Sequence, residues 1–559
     1  MSNSATSATP RKQLAGDRFW TQGEPLVWAT GGALALVLLS ALLLLVVVLV
    51  NGLGVFWPSA IAEVTLQDGT RLLGKRCERE TNADTGQRQI QFKTANREFD
   101  PARMDFRWIP EESIAETRFP DDVFVLERAS NGDFYGFLRE LKAAGLDVPS
   151  EGELPEQFAA AMRAVGAYRA AELEPVAANI AALCDRLQDV DYALLNASYK
   201  KKAAGEAGPP EGLDARIEGL AADKADIQRQ TQRLVARQQG LQSELRRNVA
   251  IFDDGQGHPR TIVLADVVRS YRPGAMGLLA KMGHYAAKIW ELLASQPRES
   301  NTEGGLFPAI FGTVTLIFLM ALCSFPLGVL AGVYLGEYAR DGLFVRLVRI
   351  GVNNLAGIPS IVYGIFGVGF FIYGLGRTVD QWFFPERLAS GPVFGTGGVL
   401  WASMTLGLLT VPVVIVATEE AIRAVARGVR ESSYALGATK FQTLMRVILP
   451  LAAPGIMTGF ILAMARAAGE VAPLMITGVV KSANNLPVDG KFPFFHLDRQ
   501  FMHLGFHIYD VGFQSPNVEA SKPMVYVTTL LLVLIVLMMS ALAIYLRNRM
   551  RKKMQIRTI

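Results

Sequence analysis

Cysteine and histidine are scarce in this chain, 3 and 5 among 559 residues. Cys77, Cys184 and Cys323 stand far apart without Cys-x-x-Cys or other metal spacing, which argues against zinc ribbons and dithiol redox motifs. Cys323 falls in an apolar run, so Cys77 with Cys184 is the one disulfide left open. His503 and His507 are one helical turn apart, a spacing that suits a metal pair. No third ligand accompanies them, and an interfacial helix is the better reading. A charge surplus is missing too. Lys+Arg number 56 against Asp+Glu 52, a formal charge of +4, too balanced to point to nucleic acid. There is no Gly-x-x-x-x-Gly-Lys-Ser/Thr loop, so the chain does not cradle ATP phosphates in that way.

What is abundant is apolar sequence. Half the residues are hydrophobic, and the charged ones are concentrated in one long block. Crossing a bilayer takes about 20 apolar residues. Six runs qualify: 27–50, 304–336, 350–376, 388–418, 447–480 and 523–546. Five hold no charge, and 447–480 is interrupted only by Arg466 and Glu470. The first run, at 24 residues, is too long for a signal-peptide core and lacks a small-residue cleavage site after it, so it reads as an uncleaved span.

Lysine and arginine beside the runs set the orientation. Arg11, Lys12 and Arg18 precede the first, and Arg340, Arg346 and Arg349 follow the second. Arg423, Arg427, Arg430, Lys440 and Arg446 follow the fourth, and Arg547, Arg549, Arg551, Lys552 and Lys553 the last. The loop between the third and fourth holds only Arg377 and Arg387. The tails 1–26 and 547–559 and the loop 419–450 are therefore expected on the cytoplasmic side, with 51–303 outside.

That outer block has two textures. A small β-domain is expected over 60–110, where Asp68-Gly69 separates alternating runs, with 260–272 closing it. Between them, 154–250 reads as a helical hairpin. Val176, Ile180, Leu183, Leu187, Val190 and Leu194 form a heptad seam, and Pro175 suits its first helical position. After a turn at 203–212, Leu213, Leu220, Ile227, Leu234 and Leu241 recur every seven residues. The other half of that seam, Ile217, Lys224, Thr231, Gln238 and Leu245, is polar in the middle. The result is an antiparallel, coiled-coil-like hairpin about 40–55 Å long, either a stalk for another protein or a self-packed decoration.

Two polar features stand among the apolar runs. The first is Glu431-Ser-Ser-Tyr-Ala-Leu-Gly437, followed after nine residues by Val447-Ile-Leu449-Pro450. Gly437 can end a short helix in the left-handed conformation, and a second helix can run from Thr439 to the proline. The bend makes a knob at the membrane surface, shaped to dock into a cleft. The second feature is Arg466 with Glu470, one turn apart on one helix face and near the middle of their run. Charges at that depth face a cavity or a partner. An arginine fork matches a phosphate-like oxyanion, and Glu470 can compete for the guanidinium and release the anion. The plainer alternative is a locked structural ion pair. Pro326, Pro359, Pro454 and Pro473 suggest kinked spans.

The Glu431–Pro450 stretch resembles the EAA motif of bacterial ABC-importer permeases, with Ser432 and Ser433 for its alanines and Val447 for its isoleucine. Asn301-Thr-Glu-Gly-Gly305, Pro326-Leu-Gly-Val-Leu-Ala-Gly-Val-Tyr-Leu-Gly-Glu-Tyr338, Pro359-Ser-Ile-Val-Tyr-Gly364 and Ala465-Arg-Ala-Ala-Gly-Glu-Val-Ala-Pro-Leu474 are similar to its phosphate-importer branch. The likeness is loose over the first span and close from 301 to 546. It implies an all-α polytopic protein of six transmembrane helices with the type I importer fold, here carrying an α+β insertion where compact relatives have a short loop. It also implies a permease domain over 304–546, no enzymatic activity, no bound cofactor, and ATP with Mg on a separate ATPase subunit. The ATPase dimer would grip Glu431, Ser432, Ser433, Gly437, Leu449 and Pro450, and phosphate would pass Arg466 and Glu470. A second, related permease would complete the pathway in the lipid bilayer, and a periplasmic phosphate-binding protein would dock outside. The alternatives are a permease for molybdate or phosphonate, and a non-transporting receptor that senses through the hairpin.

Overall fold

The computed structural model describes residues 24–556 except 83–85, 100–104, 147–151, 205–209, 299–300, 389–390, 484, 491, 493 and 516–517. The basic flank of Arg11, Lys12 and Arg18 and the centre of the expected 203–212 turn lie outside the described residues. The chain is a polytopic helical protein: among the described residues six helices are long and apolar enough to cross a membrane, and an α+β insertion follows the first. Spans 1 to 6 are Leu26–Gly54, Phe307–Tyr338, Ser360–Phe383, Val399–Arg423, Lys440–Gly469 and Val518–Lys552.

Span 4 is the axis of the bundle. It packs against spans 2 and 5 around Leu316, Ile317, Met320, Leu406, Ala467 and Leu474. The helices meet closely because side chains are missing where they cross: a Cβ on Gly332 would strike Thr418, and one on Gly459 would strike Ala417. Small residues at such crossings are what draw membrane helices together. Span 1 stands apart, its apolar surface exposed, and touches mainly span 6, where Gly52 approaches Leu530.

Three of the expected runs are divided differently. The run 350–376 is not one helix. Leu343–Leu355 is a separate amphipathic helix with Leu343, Phe344, Leu347 and Ile350 exposed, and span 3 starts only after Pro359. Proline lacks an N–H and pushes the residue before it out of the helical region, so the apolar stretch breaks there. Span 3 then reaches Phe383 despite Asp380, because that buried carboxylate accepts the backbone N–H groups of Phe394 at 2.8 Å and Gly395 at 2.7 Å. Span 4 begins at Val399 rather than 388, after the extended Gly398. The run 447–480 ends as a helix at Gly469, followed by a short helix, Ala472–Thr477.

The insertion contains two five-stranded antiparallel sheets. One orders β4-β3-β2-β1-β5, with β1 Ala62–Leu66, β2 Arg71–Thr81, β3 Arg88–Lys93, β4 Phe106–Pro110 and β5 Ile114–Arg118. The other orders β10-β6-β7-β8-β9, with β6 Val123–Arg128, β7 Phe134–Lys142, β8 Val249–Asp253, β9 Pro259–Val263 and β10 Val267–Tyr271. The strands at 260–272 therefore do not close the 60–110 sheet; they belong to the second one. The overlooked strands β6 and β7 turn at Asn131-Gly132, with φ +68° and +70°. The pairing of Leu126 with Phe134 makes this a loop longer than two residues, and Asn-Gly is a turn signal present in the sequence. Phe124, Phe134, Phe158 and Phe252 meet edge-to-face in the core between this sheet and the helix Leu154–Tyr168.

Helices Glu174–Ala203 and Leu213–Leu245 lie side by side, joining β7 to β8. Val176, Leu183, Ala197, Ile227 and Leu245 are buried along them, and Lys224 pairs with Asp191 at 2.7 Å where the seam is polar. The first of these helices reaches the loop after span 3: the Tyr192 hydroxyl donates to Glu386 at 3.2 Å, and the Arg387 guanidinium lies 4.6 Å from the Tyr192 ring centroid. Elsewhere the insertion rests on the ends of spans 1 and 6, where Tyr285 donates to the carbonyl of Leu53 at 3.1 Å and Gln91 to Glu519 at 2.9 Å. All three cysteines are free, so Cys77 and Cys184 do not form a disulfide.

Candidate functional site: the knob between spans 4 and 5 and the span 5 break

The knob is built by two caps back to back. Helix Arg427–Ala435 ends at Gly437, with φ +83°. The Gly437 N–H donates to the Tyr434 carbonyl at 2.9 Å and the Ala438 N–H to Ser433 at 3.2 Å, the paired bonds of a Schellman ending. Thr439 then starts the next helix with a capping box. The Gln442 N–H donates to its hydroxyl at 3.2 Å, and the Thr439 N–H donates to the Gln442 side chain at 3.0 Å. Ser433 and Thr443 hydroxyls meet at 2.9 Å and pin the two helices together.

At the tip, Leu436 is 89% exposed, beside exposed Tyr434 and Phe441. Glu431, Ser432 and Gly437 are exposed and Ser433 is half-buried. Leu449 and Pro450 are not on the knob. The second helix does not stop at the proline but runs on as span 5, and Leu449 packs against the core at its root. A wider π turn at Leu444–Ile448 lies just before Pro450 and accommodates its missing N–H and its ring.

The knob is bolted to the bundle by residues that the sequence patterns did not reveal. Arg430 donates to the carbonyls of Val425 at 2.7 Å and Ile422 at 2.6 Å, and its Nε lies 3.3 Å from the Glu337 carboxylate at the end of span 2. Lys440 donates to the Glu337 carbonyl at 2.7 Å. Beside them, Arg349 pairs with Glu419 at 2.9 Å and with Asp341 at 2.9 Å. Glu337 and Arg430 are 93 residues apart in the chain, so only the fold brings them together; the available signal was a carboxylate left at the end of an apolar run.

Arg466 and Glu470 are brought together, but not in the middle of a continuous helix. Arg466 occupies the last turn of span 5, and Glu470 is the extended residue that caps it, with ψ 128°. Arg466 Nε lies 3.5 Å from Glu470 Oε1, and the side chains are 34% and 20% exposed. Past them, Ala472–Thr477 packs on span 3, where a Cβ on Gly364 would lie 2.7 Å from the Pro473 Cα. Irregular backbone at membrane depth is tolerated where protein buries it or where it lines a water-filled cavity, and here Gly469 is exposed and Glu470 half-buried. The pair thus sits where the helix has just opened.

His503 and His507 are fully buried rather than interfacial. His503 Nδ1 accepts the Gly505 N–H at 3.1 Å as a helix cap, and His507 Nδ1 lies 3.2 Å from the Thr528 hydroxyl. No cluster of three metal-ligating side chains occurs among the described residues. Asn301 holds this region to the adjoining loop, donating to the Lys481 carbonyl at 3.0 Å and to Asp510 at 3.3 Å.

A six-span bundle with an exposed, capped knob between spans 4 and 5 is the construction of a permease. Residues 324–552 match the family of binding-protein-dependent transport system inner membrane components. A probable ABC transporter permease of Bacillus subtilis, YqgI, is 33% identical over 226 residues, covering 39% of this chain and 70% of that protein. The chain belongs to this family of ABC-transporter permeases, multi-pass inner-membrane subunits that are not themselves catalytic.

Within the family it is similar to PstA. The phosphate transport system permease protein PstA of Mycobacterium leprae is 38% identical over 220 residues, 39% of this chain and 66% of that protein. PstA 1 of Mycobacterium tuberculosis is 37% identical over 185 residues, and the chain spans 55% of its length. Among solved structures, the inward-facing MetNI methionine ABC transporter aligns over 47% of this chain and 98% of its own at 19% identity, with a TM-score of 0.32.

Proposed function

We propose that this chain is one half of the transmembrane pathway of an ATP-driven phosphate importer. The observation that carries the reading is the knob: a two-helix projection with a bare leucine at its tip, locked to span 2 through Arg430 and Glu337. A surface exposed at the tip and rigid at the root can transmit a push to the spans. A PstB-like ATPase dimer would grip the knob at Glu431, Ser432, Ser433 and Gly437, with Leu449 and Pro450 as the root it levers. ATP and Mg would be bound by that partner, and no cofactor by this chain. A PstC-like permease would supply the other half, and a periplasmic phosphate-binding protein would deliver phosphate from the side of the insertion. Both termini would face the cytoplasm.

In this reading Arg466 offers its fork to the anion at the open end of span 5, and Glu470 draws the guanidinium back as the anion leaves. The test uses the full complex in proteoliposomes. Arg466→Ala should lower phosphate uptake about ten-fold or more, the loss of one charge-assisted contact, while ATPase assembly persists. Uptake at the parental rate would refute the role of Arg466. A complex that never contains an ATPase would refute the importer itself.

A further inference from the structure

A cavity of about 470 Å³ lies where the insertion meets the ends of spans 1 and 6. Its floor is amphiphilic: Val50, Gly54 and Trp57 from the end of span 1, Met524 and Tyr526 from span 6. Its walls come from both sheets and are densely charged. Three carboxylates there are already committed. Asp133 holds Lys93 at 2.6 Å, Glu127 holds Lys288 at 2.6 Å, and Glu291 holds Arg298 at 2.6 Å. Lys75 and Arg76 also line the cavity, and neither side chain makes a hydrogen bond or ion pair among the described residues.

Tyr135 adds an independent sign. It is 2% exposed and lines the cavity, and its hydroxyl makes no hydrogen bond among the described residues, while its backbone N–H and carbonyl are both bonded to Asn96. Burial also pushes the Tyr135 phenol up, so it stays a neutral donor. Beside it, burial and then Asp133 raise the Glu303 carboxyl to about 7, which makes it a part-time donor as well. Burial and the neighbouring Lys93 depress the Lys75 ammonium, a strain that an anion between them would relieve. The uncommitted groups of this cavity are thus of both kinds, Lys75, Arg76 and the Tyr135 hydroxyl standing with Glu78 and the part-protonated Glu303, above a floor that carries Trp57 and Tyr526.

We infer that this cavity binds a phosphate group between Lys75, Lys93 and the Tyr135 hydroxyl, carried by an anionic phospholipid headgroup or by free phosphate. Basic pockets beside transmembrane helices recognise lipid headgroups by the same contacts. The volume exceeds what one ion needs and falls in the range of sites that hold whole small molecules. The inference does not rest on the transport reading, since none of these residues belongs to the Arg466 pathway.

The experiment takes the full-length protein in detergent with two probes. Native mass spectrometry counts bound phosphatidylglycerol against phosphatidylcholine, and equilibrium dialysis measures radiolabelled orthophosphate. Lys75→Met and Tyr135→Phe should each weaken the ligand about ten-fold, with the dialysis made in an Arg466→Ala background so that the transport pathway does not contribute. Retention of phosphatidylglycerol lost in both variants assigns the lipid as source. Saturable orthophosphate binding lost in both assigns free phosphate. If Lys75→Met does not fold, Tyr135→Phe, which removes one oxygen only, decides alone. Binding of neither probe to the parent protein, or parental binding in Tyr135→Phe, would overturn the inference.

Discussion

At the scale of single residues, the clearest consequence concerns Arg430. Its guanidinium satisfies two carbonyls and faces a Glu337 side chain that is only 8% exposed. Arg430→Ala would leave that carboxylate without its partner, a loss of about 3 kcal/mol for a buried pair broken on one side. The expected outcome is a lower melting temperature and ATP hydrolysis no longer linked to uptake, checked by thermal melts and paired ATPase and transport assays. Glu303 gives a prediction in pH. Its carboxyl is raised in the fold to about 7, from an ordinary value near 4.5, so the folded chain holds its proton longer than the unfolded one. That contribution is present at low pH and is lost as pH rises through this window. Glu303→Gln removes the penalty, so the melting temperature of the variant relative to the parent should climb between about pH 5 and pH 8. A pH-independent difference would contradict the raised carboxyl. Gly437 was legible beforehand because its role is local: a glycine three residues before a lysine and after a polar helix can only be a cap. The Arg430–Glu337 clamp was not, since nothing in local sequence couples residues so far apart.

Elements were legible in proportion to how far hydropathy alone defines them. Spans 1, 2 and 6 are apolar throughout and stand close to where composition puts them. Spans 3 and 5 diverge because hydropathy is blind to the backbone: Pro359 and Gly469-Glu470 break helices inside stretches whose apolar character continues. The short helix Ala472–Thr477 follows from that break and makes its own prediction. Gly364→Val would place side-chain carbon against the Pro473 backbone, which cannot yield. Helix Ala472–Thr477 should lift from span 3, with uptake impaired and membrane insertion retained, as read by transport and by cysteine accessibility at Met475. In the insertion, strand alternation was found for β1 to β3 but missed at β6 and β7. Gly132→Ala should cost about 1 kcal/mol, since it forces a side chain into the left-handed conformation of that turn.

The molecule as a whole is two structures that share little core but touch at several discrete places. The permease bundle buries its own glycine-lined crossings, and the sheets of the insertion close on their own phenylalanine cluster. The long hairpin belongs fully to neither. Strands β7 and β8 pair directly from Phe137 with Asp253 to Lys142 with Val249, so the sheet is complete without the helices that connect them. Among the described residues Tyr192, with Glu386 and Arg387, ties the hairpin to the bundle through polar contacts at a partly exposed site. Such contacts are worth little in stability. Replacing 176–243 by a short glycine-serine linker should therefore leave a folded protein that inserts and assembles, because adjacent antiparallel helix ends need no long loop to join them. Size-exclusion profiles and a thermal melt of the shortened chain check this. Collapse of the whole protein would mean that the hairpin is structural to the sheets. A sound protein with altered uptake would instead identify it as an arm acting on the loop after span 3, where Tyr192 meets Glu386 and Arg387.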